Sequence, residues 1–268
     1  MKSLYNTIID NDKIDGHIHL FDHNGIINNT LIDSSKMCVC FADIVFKYIN
    51  EYKDEKMIEL YDNFINNYYD GSKHILLATG ENAKDIINIH KKYPNIIKGF
   101  GELKCYASYI NGPLPYGNFE WIKPVLKYNI NIGLPVYIHY NLNSISAIDD
   151  LTDLLKTYKF PIVLCHCGMY DNCDYLSIHN TILKLMHTFD NIYVDVSYDA
   201  TDFYIKNIDK LLELNSYKVI LGTDINLVIE RVMDNPNEII DDLYNKFHLL
   251  QRFGNYNYNI KQLFNILK

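Results

Sequence analysis

YKVILGTD, residues 217–224, is an apolar run of strand length that closes on a glycine, a threonine and an acid, and it is the eighth such run along the chain. Working back from it, the others are NIYVDVSY (191–198), PIVLCHCG (161–168), LPVYIHY (134–140), NIIKGFGELK (95–104), KHILLATG (73–80), KMCVCFA (36–42) and KIDGHIHLF (13–21). Each is short and rich in β-branched residues, as buried strands are. Between them, apolar residues recur at helical spacing over 43–69, 81–92, 118–130, 145–158, 174–189 and 201–214, and after the eighth run over 225–233, 236–250 and 257–267. Asn118 is placed to cap the third of these helices, and Pro236 suits a helix start. Strand–helix alternation predicts a parallel sheet. Eight repeats predict an α/β fold of the closed (β/α)8 or TIM-barrel kind, with extra C-terminal helices. An open dinucleotide-binding sheet would want GxGxxG after an early strand, whereas GFGELK at 99–104 offers only GxG at the end of the fourth run. No GxxxxGK[ST] loop is present.

The chain has 268 residues, close to the roughly 250 of one such barrel, and no Ser/Gly/Pro-rich linker divides it. We therefore expect a single domain over 1–268. A hydrophobic content of 48% suffices for a large core. The net charge of -8, without a Lys/Arg cluster, argues against nucleic acid as a partner. Cysteines at 38, 40, 105, 165, 167 and 173 form no CxxC pair and no small-domain disulfide spacing, which points to a reducing compartment. The first residues, MKSLYNTIIDNDKIDGH, show no apolar signal-peptide core, and no apolar run approaches the ~20 residues of a membrane helix. The expected location is cytoplasmic, with no membrane partner.

The chemistry starts at DGHIHL, 15–20. His17 and His19 are two apart in a strand, so both imidazoles project to one side and make half of a zinc-type site. Asp15 shares that face by the same count and is placed to orient an imidazole. His139 ends the fifth run, His166 the sixth and Asp224 the eighth. In such barrels the C-terminal strand ends form the active-site face, so these ligand-type residues are expected at one mouth. Alternation turns Val219 and Leu221 away from Gly222 and Asp224. It also turns Cys165 and Cys167, which flank His166, towards the helix layer as buried thiols without a disulfide. Asp195 and Ser197 share a face, either lining the pocket or forming a hydrogen-bonded layer inside the barrel. Glu102 and Lys104 share another; the carboxylate, or the lysine as a carbamate, could bridge two metals, or the two could form a salt bridge. His90, His179, His187 and His248 fall in helical stretches and read as packing or surface residues. His23 follows the first run closely enough to reach a substrate, and GPLPYG at 112–117 reads as a loop on the active-site side.

Taken together, DGHIHL, PVYIHY, VLCHCG and ILGTD, in this order over residues 13 to 224, resemble the amidohydrolase superfamily, in particular its amidohydrolase-related metal-dependent hydrolases. The resemblance implies a divalent metal, zinc in many members, with manganese or magnesium as alternatives. In a one-ion site His17, His19, His139 and Asp224 would be ligands, with His166 a catalytic imidazole. In a two-ion site Glu102 or a carbamylated Lys104 would bridge, and His139 with His166 would hold the second ion. Asp224 would shuttle the proton of the metal-activated water. The implied reaction is hydrolysis of an amide, ester or lactone, and decarboxylation also occurs on this scaffold. GELK is also similar to the strand-four glutamate motif of TatD-like nucleases, which makes a metal-dependent phosphodiesterase the first rival. A catalytically silent barrel is the second, although every ligand position is filled. The chain departs from many relatives in reading GTDINL where a proline commonly follows GTD.

Overall fold

The computed structural model describes residues 14–21, 37–44, 55–80, 82–105, 119–169, 173–214, 216–224 and 236–265, with backbone alone at 20–21, 37–44, 55–56, 236–241 and 243. Eight parallel strands form one sheet in sequence order: β1 (Ile14–Phe21), β2 (Met37–Ile44), β3 (His74–Ala78), β4 (Ile97–Lys104), β5 (Val136–His139), β6 (Ile162–Leu164), β7 (Ile192–Val196) and β8 (Val219–Leu221). The last strand returns to the first. The Asp224 amide donates to the His17 carbonyl at 3.0 Å, and the Thr223 amide donates to Asp15 Oδ1 at 3.0 Å. Helices alternate with the strands: α1 (Glu55–Asn67), α2 (Ala83–Lys92), α3 (Lys123–Asn129), α4 (Ile145–Thr157), α5 (Tyr175–Thr188), α6 (Asp199–Lys206) with α7 (Ile208–Glu213), and α8 (Pro236–Gln251). A final helix, α9 (Tyr256–Leu263), is the extra C-terminal one.

Period-2 alternation sorts the strand residues into two cores. Val136, Ile138, Ile162, Leu164, Ile192, Val194, Val196, Val219 and Leu221 pack outward under the helices. Ile75, Leu77, Tyr137, Val163 and Ile220 fill the barrel, where Ile260, Leu263 and Phe264 from α9 and its end join them. α9 therefore plugs the end of the barrel where the strands begin. Asn259 Nδ2 fixes it by donating to the Ser216 and Val219 carbonyls at 2.5 and 2.6 Å. Asn257 Oδ1 accepts the Ile14 amide at 2.9 Å. The other end, where the strands finish, is left for the site.

Helix starts are fixed by short polar side chains that accept an otherwise orphaned amide. Asn82 Oδ1 takes the Asp85 amide at 2.9 Å, and Ser144 Oγ takes that of Ala147 at 3.1 Å. The third helix is shorter than its spacing predicts. It begins at Lys123, after a turn from Phe119 to Ile122, so Ile122 and not Asn118 stands at its cap. The region 43–69 also divides differently, because β2 continues to Ile44 and α1 starts at Glu55. The helix expected over 225–233, the GPLPYG loop, His23 and the side chains of Cys38 and Cys40 lie outside the described residues. Among the described residues, no helix is long and apolar enough to cross a membrane.

His74, at the start of β3, is 3% exposed, and its Nδ1 accepts the Asp70 amide at 2.9 Å. Burial lowers its pKa from 6.5 to about 4, and the opposing pull of Asp70 is too small to restore it. The unfolded chain then binds the extra proton more readily than the folded one between these values. The associated stability is complete above about pH 6.5 and is lost as pH falls towards 4. His74→Asn keeps an acceptor for the Asp70 amide but cannot be protonated in this range. With chelator present, its urea midpoint should fall less steeply from pH 6.5 to 4 than that of the unaltered chain. Parallel slopes would show that His74 is not a source of acid sensitivity.

Candidate metal centre

Three breaks in alternation deliver the site residues. In β1, Asp15 pairs with Cys38 but Ile18 with Cys40, so β1 carries one extra residue at Gly16–His17. This bulge reverses the facing of the residues after it: Ile14 points into the barrel and Ile18 out of it, and His17 and His19 turn inward. In β4, Phe100 pairs with Val136 and Leu103 with Ile138, again one residue over. Phe100 and Leu103 both face the helix layer, and Glu102 is left pointing into the mouth. Both bulges contain a glycine, Gly16 and Gly101, and a Cβ at Gly101 would lie 2.6 Å from the Tyr137 carbonyl oxygen. In the sixth run the strand ends at Leu164, and Cys165–Gly168 forms a tight turn with His166 and Cys167 at φ 51 and 53.

Seven polar side chains meet in the mouth. His17 Nε2 lies 3.2 Å from His19 Nε2 and 3.6 Å from Asp224 Oδ1. His19 Nε2 lies 3.1 Å from the same Asp224 oxygen and 3.8 Å from Glu102 Oε2. The other oxygens turn the other way. Glu102 Oε1 is 2.8 Å from His139 Nδ1 and 3.3 Å from His166 Nε2, and Asp224 Oδ2 is 3.8 Å from His166 Nε2. On the far side of His17, Nδ1 is 2.6 Å from Asp195 Oδ2. The sequence-predicted ligands thus sort into two adjoining clusters. His17 and His19 face one oxygen each of Asp224 and Glu102, while His139 and His166 share Glu102 Oε1. Gly222 makes room for this. A Cβ there would stand 2.4 Å from that of His17.

The donor set fits a divalent ion. Metal–ligand bonds of about 2.0–2.1 Å in tetrahedral array place ligand atoms roughly 3.3 Å apart, and the separations above bracket that value. Glu102 Oε1 and both Asp224 oxygens are buried without a properly angled hydrogen bond, a costly state for a carboxylate that an ion would relieve. Burial pushes both carboxyls towards neutrality, but the imidazoles outweigh it. His139 and His166 hold Glu102 well below its ordinary 4.5, and His17, His19 and His166 hold Asp224 below 3.8. Burial lowers the pKa of His139. It opposes charge on His166 as well, but Glu102, Asp224 and Asp195 prevail there and raise it to about 9.

Several expectations need correction. Cys165 does not face the helix layer. It belongs to the barrel-interior core, and its Sγ lies within 4.8 Å of ligand-type atoms of His17 and Asp195. The reason is that β6 alternation runs through Cys165, and the left-handed residue after it brings His166 inward as well. Cys167 does pack with the helix layer, its Sγ donating to the Asp195 carbonyl at 3.5 Å, and both thiols are free. Asp15 does not orient an imidazole. It accepts the His17 amide at 3.1 Å and the Thr223 hydroxyl at 2.6 Å besides the Thr223 amide, fastening β8 to β1. Burial raises its carboxyl to about 7 against these donors. The position between the histidine pairs is filled by Glu102. Lys104 is partly exposed, its carbonyl accepts Trp121 Nε1 at 3.1 Å, and its charge disfavours protonation of His139. Asp195 and Ser197 form a buried hydrogen-bonded layer, joined at 2.8 Å, that reaches the site imidazoles from behind. His90 pairs with Tyr128, and His179 with Tyr204 and Glu213, as packing residues.

No family model matches the sequence, and no curated protein matches it. Solved structures match in fold. A probable 2-pyrone-4,6-dicarboxylic acid hydrolase from Acinetobacter baumannii superposes with a TM-score of 0.62 at 15% identity, covering 95% of this chain and 99% of that one. Amidohydrolase 2 from Bifidobacterium longum subsp. infantis gives 0.57 at 13% identity, with 94% and 98% covered. Dihydroorotase from Campylobacter jejuni gives 0.54 at 17% identity, with 95% and 83% covered. The chain therefore carries the (β/α)8 barrel fold of these proteins, the fold that its strand-end motifs imply.

Proposed function

We propose that this chain is a metal-dependent hydrolase that cleaves an amide, ester or lactone bond of a small molecule. The observation that carries this reading is the aim of the two carboxylates: Glu102 and Asp224 each direct one oxygen at His17 and His19 and the other at the His139–His166 side. The arrangement suits two ions: His17, His19 and Asp224 would hold one and His139 with His166 the other, with Glu102 available to both. A divalent ion supplies a water of lowered pKa and polarises the bond to be cleaved. The chain's residues supply the rest. Asp224 takes up the proton of the attacking water and returns it to the leaving group. With only the first position filled, His166 would be placed to donate from Nε2 to charge developing on the substrate oxygen. The apolar wall of the barrel beneath the site shields these charges from water.

The test is metal content and turnover together. Protein purified without added metal should hold divalent ion, zinc first, at up to two per chain. Hydrolysis across a panel of amides, esters and lactones should stop with chelator and return with zinc or manganese. A chain that binds no divalent ion overturns the reading. The position of Glu102 also suits a phosphodiesterase. Cleavage of single-stranded DNA with magnesium or manganese, without activity on the panel, would favour that second reading.

A further inference from the structure

We infer that a single buried carboxylate, Asp195, fixes the tautomers of two imidazoles that serve different ion positions, reaching one directly and the other through Ser197. This rests on the two-ion reading and extends it to residues behind the site. A carboxylate oxygen only accepts, so at 2.6 Å from Asp195 Oδ2 the Nδ1 of His17 must carry the proton. His17 Nε2 then faces His19 and Asp224 as a lone pair, the form a ligand needs. The same Asp195 Oδ2 accepts the Ser197 hydroxyl at 2.8 Å. A hydroxyl has one proton, and this bond commits it. Ser197 Oγ can therefore only accept from His166 Nδ1, which lies 2.8 Å away. His166 Nδ1 carries a proton in turn, and its Nε2 is turned to Glu102 Oε1 as the ligating atom. Asp195 thus sets the direction of every proton in this chain of bonds.

The layer is also held rigidly. Asp195 and Ser197 are fully buried, at 0% exposure, on the inward face at the end of β7. The Asp195 carbonyl accepts the Cys167 thiol from the very turn that presents His166. Asp195 and Ser197 are assigned as positioning residues, acting through the imidazoles they bond. The structure gives them unequal reach: Ser197 serves His166 alone, whereas Asp195 serves both rings.

Zinc titration of the full chain against a competing chromophoric chelator tests this, with Ser197→Ala, Ser197→Thr and Asp195→Ala compared. Partners of metal-bound histidines typically contribute 10–100-fold in affinity. Ser197→Ala should weaken one zinc by that factor and leave the other within about 3-fold, a split that general loosening of the fold would not produce. Ser197→Thr keeps the hydroxyl and should restore the second zinc. Asp195→Ala should weaken both; if it fails to fold, the two Ser197 variants decide the matter. Thermal midpoints in chelator should be close for Ser197→Ala and Ser197→Thr. Two equally unchanged zincs in Ser197→Ala, or equal weakening of both, overturns the inference. An unaltered chain that takes up no second zinc overturns instead the two-ion reading beneath it.

Discussion

Replacing His17 and His19 together with alanine should remove the ion they hold and with it the thermal stabilisation that this ion confers. The two imidazoles place their Nε2 atoms 3.2 Å apart, and both stand within 3.6 Å of Asp224 Oδ1. No rearrangement confined to the remaining groups on that side replaces two nitrogen ligands. Alanine keeps the Cβ of His17 that Gly222 is shaped to receive, and the backbone bond from the Asp224 amide to the His17 carbonyl is untouched. The barrel should therefore still close. A ligand present at a thousand times its dissociation constant stabilises the folded chain by about 4 kcal/mol. At roughly 2–4 °C per kcal/mol for a chain of this size, the unaltered protein should melt on the order of 10 °C higher with zinc than with chelator. In the double variant this difference should shrink by most of that amount, leaving only what an ion at His139 and His166 confers. The comparison must be made between zinc and chelator for each protein, because removing His17 also strips Asp195 of one of its two side-chain partners and changes the metal-free midpoint. Elemental analysis gives the second readout. Unchanged metal content in the double variant would show that the His17–His19 pair is not the ligand core.

Much of this arrangement is legible before any coordinate, and the part that is not has one main physical cause. Where a strand keeps strict period 2, counting gives the facing of every residue: Val136 and Ile138 outward with Tyr137 inward, Val219 and Leu221 outward with Ile220 inward. That regularity is why eight runs, the barrel and its mouth can be read from the sequence. Counting fails wherever a residue is inserted. The β1 bulge separates Asp15 from the face of His17 and His19, and the β4 bulge brings Glu102 inward beside an inward Gly101. The signal is present in both cases, since a glycine inside a strand marks a bulge or a close backbone approach. DGH carries Gly16, and GFGE carries Gly101 two residues after Gly99. The sixth run hides its break better. CHC contains no glycine or proline until Gly168, so nothing local announces that His166 and Cys167 adopt positive φ. Counting back from His166 consequently puts Cys165 on the wrong side. The role of the seventh run is open for a different reason. Asp195 and Ser197 act through hydrogen bonds to residues 178 and 31 positions away, and no pattern within one strand reveals such partners.

Asp224→Asn should retain much of the metal and lose most of the turnover. Asp224 occupies a left-handed backbone position, φ 55, after β8. Asparagine accepts that conformation about as readily as aspartate, whereas most other residues do not. The amide of residue 224 should therefore still donate to the His17 carbonyl, and the side chain should keep its place beside His17 and His19. Asparagine retains one oxygen able to ligate, so an ion held also by two imidazoles and Glu102 should remain, with affinity reduced by the lost charge. What asparagine cannot do is take up a proton at neutral pH. The histidines hold the Asp224 carboxyl below its ordinary range against the effect of burial, and an ion at the site would hold it lower still. It is therefore ionised and ready to accept, and its second oxygen lies 3.8 Å from His166 Nε2. General acid–base groups typically contribute 10²–10⁴-fold, so kcat should fall by about that factor while metal content stays near one-half or more of the original. A parallel fall of metal and turnover would identify Asp224 as a ligand first. Near-normal turnover with metal bound would place the base elsewhere, and Glu102, whose two oxygens span both histidine pairs, would be the next group to replace.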